Sequence, residues 1–193
     1  MIRRILATIV LALISPVGFA FAQQAAPQPP STPPTTATPQ PAAKPADVAS
    51  PKAILAAAYD VISGPATQQR DWDRLRSLFL PGARLIQTSP DKDGKYTTTV
   101  LSVEEFIAAA DPYFKQDSFY EREAASHADR YGNIMQVFST YESLHSKDGK
   151  PFARGINSFQ LLYQDHRWWI VTIFWQEEDH DFPIPAKYLP AKK

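Results

Sequence analysis

The sequence predicts an α+β domain in which three amphipathic helices pack on one face of a single curved, mostly antiparallel sheet. Two observations carry that expectation. The first is the order of the segments: helix, helix, strand, strand, helix, then four long strands in meander. The second is the stretch Arg154 to Glu178, where two runs rich in β-branched and aromatic residues flank a polar turn at Gln164–Arg167. Both faces of that hairpin are apolar, so each needs a cover.

The helices have readable starts. Ser50-Pro51 supplies an N-cap and a proline at the first helical position, and Ile54, Leu55, Ala58, Tyr59 and Ile62 then share one face before Ser63-Gly64-Pro65 stops the run. Asp71 can cap a second helix whose Trp72, Leu75, Leu78 and Phe79 form a stripe, with Pro81-Gly82 ending it. Ser102-Val103-Glu104-Glu105 is a capping box that opens a third helix carrying Phe106, Ile107, Ala110 and Phe114. Arg84–Thr88 and Tyr96–Leu101 read as short strands around a turn at Asp91–Gly94. From Ser118 onward the chain reads as strand, with turns at Asp129–Asn133 and Asp148-Gly149.

Upstream of the domain the sequence changes character. Arg3 and Arg4 precede an apolar run from Ile5 to Ile14, and Ala20-Phe21-Ala22 offers a small-x-small cleavage site: the pattern of an export signal peptide over residues 1–22. Residues 23–50 are a Pro/Ala/Thr-rich linker, too poor in apolar side chains to offset the entropy of ordering. The domain is expected over 51–181 and a C-terminal tail over 182–193. A periplasmic or secreted location follows as an expectation, with no membrane span after cleavage. The chain has no cysteine, which removes disulfides, thiolate metal sites and a lipid-bearing cysteine. Its formal net charge is zero with no block of like charge, which argues against nucleic acid as a partner.

The segment order and four pieces of sequence together resemble the nuclear-transport-factor-2-like superfamily, the cystatin-like α+β cone that includes SnoaL-like polyketide cyclases and ketosteroid isomerases. The pieces are the first helix with Tyr59, the Asp71-Trp72-Asp73-x-Leu helix, the strand Gly155-Ile156-Asn157-Ser158-Phe159-Gln160-Leu161, and Arg167-Trp168-Trp169-Ile170-Val171. The resemblance implies a pocket between helices and sheet. Strand alternation combined with it assigns Tyr59, Gln87, Asn157, Phe159, Trp169, Ile173 and Trp175 to that pocket. The opposite register places Phe152, Ile156, Trp168, Ile170 and Phe174 on the convex face, an apolar patch expected to form a homodimer interface. Burial of that patch under the linker or tail is the alternative.

Isomerase-type chemistry needs a carboxylate base and two donors facing an enolate oxygen. By the resemblance Tyr59 and Asn157 fall at donor positions, although a mutual hydrogen bond would satisfy both without a ligand. The base position falls at Gln87, and glutamine takes no proton at working pH. His127 is the best remaining candidate base, on a face with Glu121 and Glu123, against the plainer reading of an ordinary sheet-face histidine. Glu121 and Glu123 themselves read as solvated or cross-strand paired. No metal-ligand spacing, phosphate loop or nucleophile elbow occurs, so no metal and no cofactor is expected. The expectation is therefore an exported, non-catalytic binding or accessory domain that takes a small apolar or amphipathic ligand. The alternative is a SnoaL-like cyclase, isomerase or hydratase with a non-standard general base.

Overall fold

A computed structural model describes residues 40–191. The expected signal peptide and most of the expected linker lie outside the described residues. Four helices and six strands follow in order: α1 Pro45–Val48, α2 Pro51–Ile62, α3 Trp72–Leu78, β1 Phe79–Pro90, β2 Tyr96–Leu101, α4 Val103–Gln116, β3 Tyr120–Tyr131, β4 Ile134–Leu144, β5 Ala153–Gln164 and β6 Arg167–Glu177. A 3-10 turn at Ala186–Tyr188 follows β6.

The caps act as the sequence reads. Ser50 accepts from the Ala53 amide at 3.1 Å, Asp71 from Arg74 at 2.9 Å, and the Ser102/Glu105 box forms in both directions. Two boundaries differ. Helix α3 stops at Leu78, and β1 begins at once with Phe79 rather than Arg84. Pro81-Gly82 therefore does not end a helix; it interrupts β1, whose pairing with β6 shifts register between Phe79 and Arg84. Proline has no ladder donor to give, which suits it to such an irregularity.

The strands form one curved, unclosed sheet in the order β2-β1-β6-β5-β4-β3. All neighbours are antiparallel except β1 and β6, which run parallel and are separated in the chain by α4 and four strands. The β5–β6 turn places Asp165 and His166 at φ 53° and 60°, the left-handed geometry of a two-residue hairpin that follows the sheet's twist.

Two bulges decide which side chains face the helices. In β3, Glu123 pairs with Tyr141 and Ala125 with Thr140, so Ala124 is an extra residue. In β6, Thr172 pairs with Gln160 and Ile170 with Leu161, so Val171 is extra. Each inserted residue reverses the alternation beyond it. Trp168 and Ile170 consequently turn inward, at 3% and 0% exposure, instead of onto the outer face. Trp169 turns outward, over the Arg167 guanidinium at 3.6 Å, and is not a pocket residue. Ile156 and Phe174 do lie on the outer face, and Phe174 is 47% exposed.

The core fills the space between α1–α4 and the inner face, with Ile54, Leu78, Phe79, Phe159, Leu161 and Ile170 among its most enclosed members. The last part of the expected linker is ordered here. Val48 is buried, Asp47 pairs with Arg74 at 2.7 Å, and Gln40 donates to the Arg76 and Phe79 carbonyls. One buried valine and one enclosed ion pair anchor the segment, and Ala43 packs against the core beside them. The tail is ordered as well: Ile184 is buried, Thr140 donates to the Tyr188 carbonyl at 2.6 Å, and the Tyr188 ring stacks on Phe138 at 5.4 Å. It thus covers part of the outer face over β3 and β4.

Arg70 holds the loop between α2 and α3. Its guanidinium donates to the carbonyls of Ile62, Gly64, Pro65 and Gln68 at 2.7–3.1 Å and lies 5.2 Å from the Phe114 ring centre. Arg70→Ala should lower stability by about 2 kcal/mol, since the enclosed carbonyls lose charged donors. A urea midpoint that does not move would show that the loop holds itself.

Candidate functional site

A cavity of about 250 Å³ opens between α2, α4 and the inner face of the sheet. Its wall is mainly apolar and aromatic. Phe79, Phe106, Phe114, Phe159 and Trp175 lie along it, and Tyr113, Phe119 and Phe152 crowd its solvent end. There Phe119 stacks on Phe114 at 5.0 Å and meets Phe152 edge-on at 6.4 Å, while His145 stacks on Phe152 at 4.2 Å. Phe152 was expected on the convex face. Because it lies just before β5, packed against Phe119 and His145, it belongs instead to the cavity's rim.

Polar groups gather at one end. They come from four strands and one helix: Tyr59 of α2, Glu121 of β3, Tyr141 and Ser143 of β4, Asn157 of β5 and Glu177 of β6. The pleat explains the grouping. Glu121 pairs with Ser143, which pairs with Ala153; Glu123 pairs with Tyr141, which pairs with Gly155, itself opposite Glu177. All these pairs lie on the inner face. Gly155 is required here: a Cβ would sit 2.6 Å from the Tyr141 hydroxyl and collide with the Gln176 carbonyl. The missing side chain lets the tyrosine lie across the strand.

The hydrogen bonds run in one direction. Asn157 Nδ2 donates to Glu121 Oε1 at 3.3 Å and to the Tyr59 hydroxyl at 3.2 Å. Tyr59 lies 2.7 Å from Ser139 Oγ, which in turn donates to Glu123 Oε2 at 2.7 Å. Ser139 has one proton, so Tyr59 must be the donor of its pair. Ser143 donates to Glu121 Oε2 at 3.1 Å. Tyr59 and Asn157 therefore do form the mutual bond, and their donor hydrogens point at the protein and not at a ligand. The Tyr141 hydroxyl, on a residue only 5% exposed, has no hydrogen-bond partner among the described residues.

Burial pushes the Glu121 carboxyl up to about 7, with the Ser143 and Asn157 hydrogen bonds opposing the rise. Burial also raises the Tyr59 hydroxyl, and the charge of Glu121 raises it further. Tyr141 is raised by burial first and then by the charges of Glu121 and Glu177. Both phenols are thus held neutral, and the carboxyl is the group that titrates near neutrality.

Tyr59, Asn157, Phe159, Ile173 and Trp175 lie in the cavity wall; Gln87 and Trp169 do not. Gln87 shares the inner face and pairs with Trp175, but it is exposed beyond Leu85 at the sheet's edge pair. The candidate base His127 is on the wrong side. The Ala124 bulge turns it outward opposite Phe138, where its ring nitrogen is 3.5 Å from Asp129 and its side chain is mostly exposed. The carboxylate absent from β1 stands on β3 as Glu121, which was expected to be solvated or cross-strand paired; it is enclosed, and it does accept across the strand from Ser143. Alternation of Glu121 and Glu123 opposite Tyr141 and Ser143 was the available signal. Among the described residues no cluster of three or more His, Asp or Glu could hold a metal ion, and no helix is long and apolar enough to cross a membrane.

No family model matches the sequence, and no curated protein matches it significantly. Solved structures do match in shape. A protein of unknown function with a cystatin-like fold from Nostoc punctiforme aligns over 66% of this chain and 87% of its own, at 8% identity and a TM-score of 0.50. A protein from Thiobacillus denitrificans described as a calcium/calmodulin-dependent protein kinase type II association domain aligns over 67% and 96%, at 13% identity and a TM-score of 0.50. An NTF2-like protein of unknown function from Shewanella baltica aligns over 65% and 89%, at 17% identity and a TM-score of 0.42. Likeness at these identities is a likeness of fold.

Proposed function

Starting from an NTF2-like, cystatin-like fold, we propose that this protein binds a small, mainly apolar molecule bearing one polar end in the cavity between α2, α4 and the sheet. One observation carries the reading: a 250 Å³ aromatic-walled cavity whose polar groups all lie together around Glu121, Tyr141 and Asn157. A cavity kept only as core would have been filled by side chains, because interiors pack to crystal-like density. An apolar wall with a few convergent polar groups is the usual form of a ligand site.

Filling the space tests the reading. Ala58 lies on α2 in the cavity wall. Ala58→Leu should abolish thermal stabilisation by phenylalkyl compounds while leaving the unliganded protein folded. No stabilisation of the unsubstituted protein by any such compound would sink the proposal.

A second reading has its own support. A carboxyl held at about 7 beside a mainly apolar cavity can take and return a proton, so Glu121 fits the part of a general acid or base. On this reading the enzyme would be of the cyclase, isomerase or hydratase type. The Tyr141 hydroxyl would then be the donor to an oxyanion, since Tyr59 and Asn157 are committed elsewhere. Turnover lost in both Glu121→Gln and Tyr141→Phe would favour it.

Homodimerisation through the outer face and export to the periplasm or medium belong to the same proposal. The dimer is supported by what the tail leaves uncovered: the row Val100, Ile86 and Phe174, with Ile156 beside it. A monomer at micromolar concentration in sedimentation would refute the dimer. Export is supported by the Arg3-Arg4, Ile5–Ile14 and Ala20-Phe21-Ala22 pattern.

A further inference from the structure

We infer that the polar end of the ligand is a cation, an amine or ammonium group attached to an apolar body, because the cavity offers acceptors and aromatic faces and no basic side chain. The inference rests on the binding reading above and names the chemical class that the site selects.

The argument starts from the sign of the wall. Glu121 and Glu177 both line the cavity, and no Lys, Arg or His does. Above about pH 7 an anionic ligand would meet the enclosed Glu121 carboxylate as well as Glu177, and like charges repel most where water is excluded. The hydrogen-bond balance points the same way. The donors of Asn157, Tyr59, Ser139 and Ser143 are all used within the protein. What remains open toward the cavity is the Glu121 carboxyl, the Glu177 carboxylate and the Tyr141 hydroxyl, which can donate or accept. Two of the three are acceptors that can carry negative charge, and an ammonium group supplies three donors with a charge to match.

The aromatic rim adds a second contribution. Tyr113 and Phe119 line the cavity with Phe114 and Phe152, of which Phe114 already lies against the Arg70 guanidinium at 5.2 Å and Phe152 is stacked on His145 at 4.2 Å. Ring faces attract cations, and attraction grows where water is excluded. Tyr141 supplies the observation that separates this from a mere pair of acids. It is a nearly buried hydroxyl, aimed across Gly155 into the cavity, with no partner among the described residues. Its oxygen keeps access to the cavity space and is free to bond a group that enters there.

Binding should be linked to a proton. The groups facing Glu121 are Tyr59 from α2, Tyr141 and Ser143 from β4, Asn157 from β5, Glu177 from β6, and Glu123 on its own strand. In the groove on the other side of α2, Arg74 is paired with Asp47 and Asp60, and Arg122 with Glu142. Without a ligand the carboxyl holds its proton up to about 7. A bound cation favours the carboxylate, so binding near neutral pH releases a proton, and affinity rises as pH rises through that value.

Three compounds of matched size test this: 4-phenylbutylamine, 4-phenylbutanol and 4-phenylbutyrate, titrated by calorimetry at pH 6 and pH 8 in buffers of different ionisation enthalpy. The amine should bind at least about tenfold tighter than the other two at pH 8. It should also bind tighter at pH 8 than at pH 6, with proton release, and Glu121→Gln should remove both the preference and the pH step. The pH step in the unsubstituted protein tests the same point should the variant misfold. Equal binding of alcohol and amine, or tighter binding of the carboxylate, would overturn the cation inference and leave the cavity reading standing. Binding of none of the three would overturn both.

Discussion

Glu121→Gln should make the protein more stable at pH 8 and leave it unchanged near pH 4. The carboxyl is raised from an ordinary value of 4.5 to about 7, chiefly by burial. The sign follows from proton counting. Between 4.5 and 7 the folded protein holds this proton and the unfolded chain has lost it, so raising the pH through that window favours unfolding. Below the window both states are protonated, and the contribution vanishes. The penalty at pH 8 is on the order of 3 kcal/mol. Glutamine is the shape of the protonated acid, can still accept from Asn157, and can turn its amide toward Ser143 Oγ. Melting of both proteins at pH 4.5 and pH 8 provides the check. A difference of the same size at both values would mean that the carboxyl titrates normally and that the cavity does not exclude water from it.

Trp168→Ala should cost about 3–5 kcal/mol, as truncation of a large core aromatic does. Phe174→Ala should change the stability of the isolated protomer by less than about 0.5 kcal/mol, as exposed substitutions do. The two residues are alike in sequence: aromatic, on one strand, and assigned together by simple alternation. They differ by one inserted residue. Trp168 is buried beside Tyr163, whose ring centre is 5.3 Å away, and lies under the Arg130 guanidinium at 5.0 Å. Phe174 stands on the outer face. Urea unfolding of the two variants therefore measures the Val171 bulge directly. Equal costs would place both side chains on the same face and remove the bulge.

The same two bulges mark the boundary between what was readable and what was not. Helix starts were legible because a cap is a local event: Ser50, Asp71 and Ser102 bond to amides three residues away, and no distant contact is needed. The β3–β4, β4–β5 and β5–β6 hairpins were legible for the same reason, as was the α+β order that leads to this sheet. Asn157 and Phe159 on β5, and Ile173 and Trp175 on β6, could be placed together because no inserted residue separates the members of either pair, and Tyr59 followed from the apolar stripe of α2.

Beyond Ala124 and Val171 the reading reversed. His127 turned outward, Trp168 and Ile170 turned inward, and Trp169 left the cavity. A bulge leaves little trace in composition, since alanine and valine are ordinary strand residues. Their insertion is set by how neighbouring strands pair across the sheet. The character of Glu121 was hidden for a related reason. A carboxylate on an alternating strand reads as solvated until the aromatic residues of α4, the Phe119 segment and the Phe152 segment close over it. The α+β order, the helix starts and the hairpins could be read from near neighbours and from period. Which acid is enclosed, which tryptophan is core and which donors are already used depend on register across strands and on the water that packing excludes, and neither is written in any local stretch.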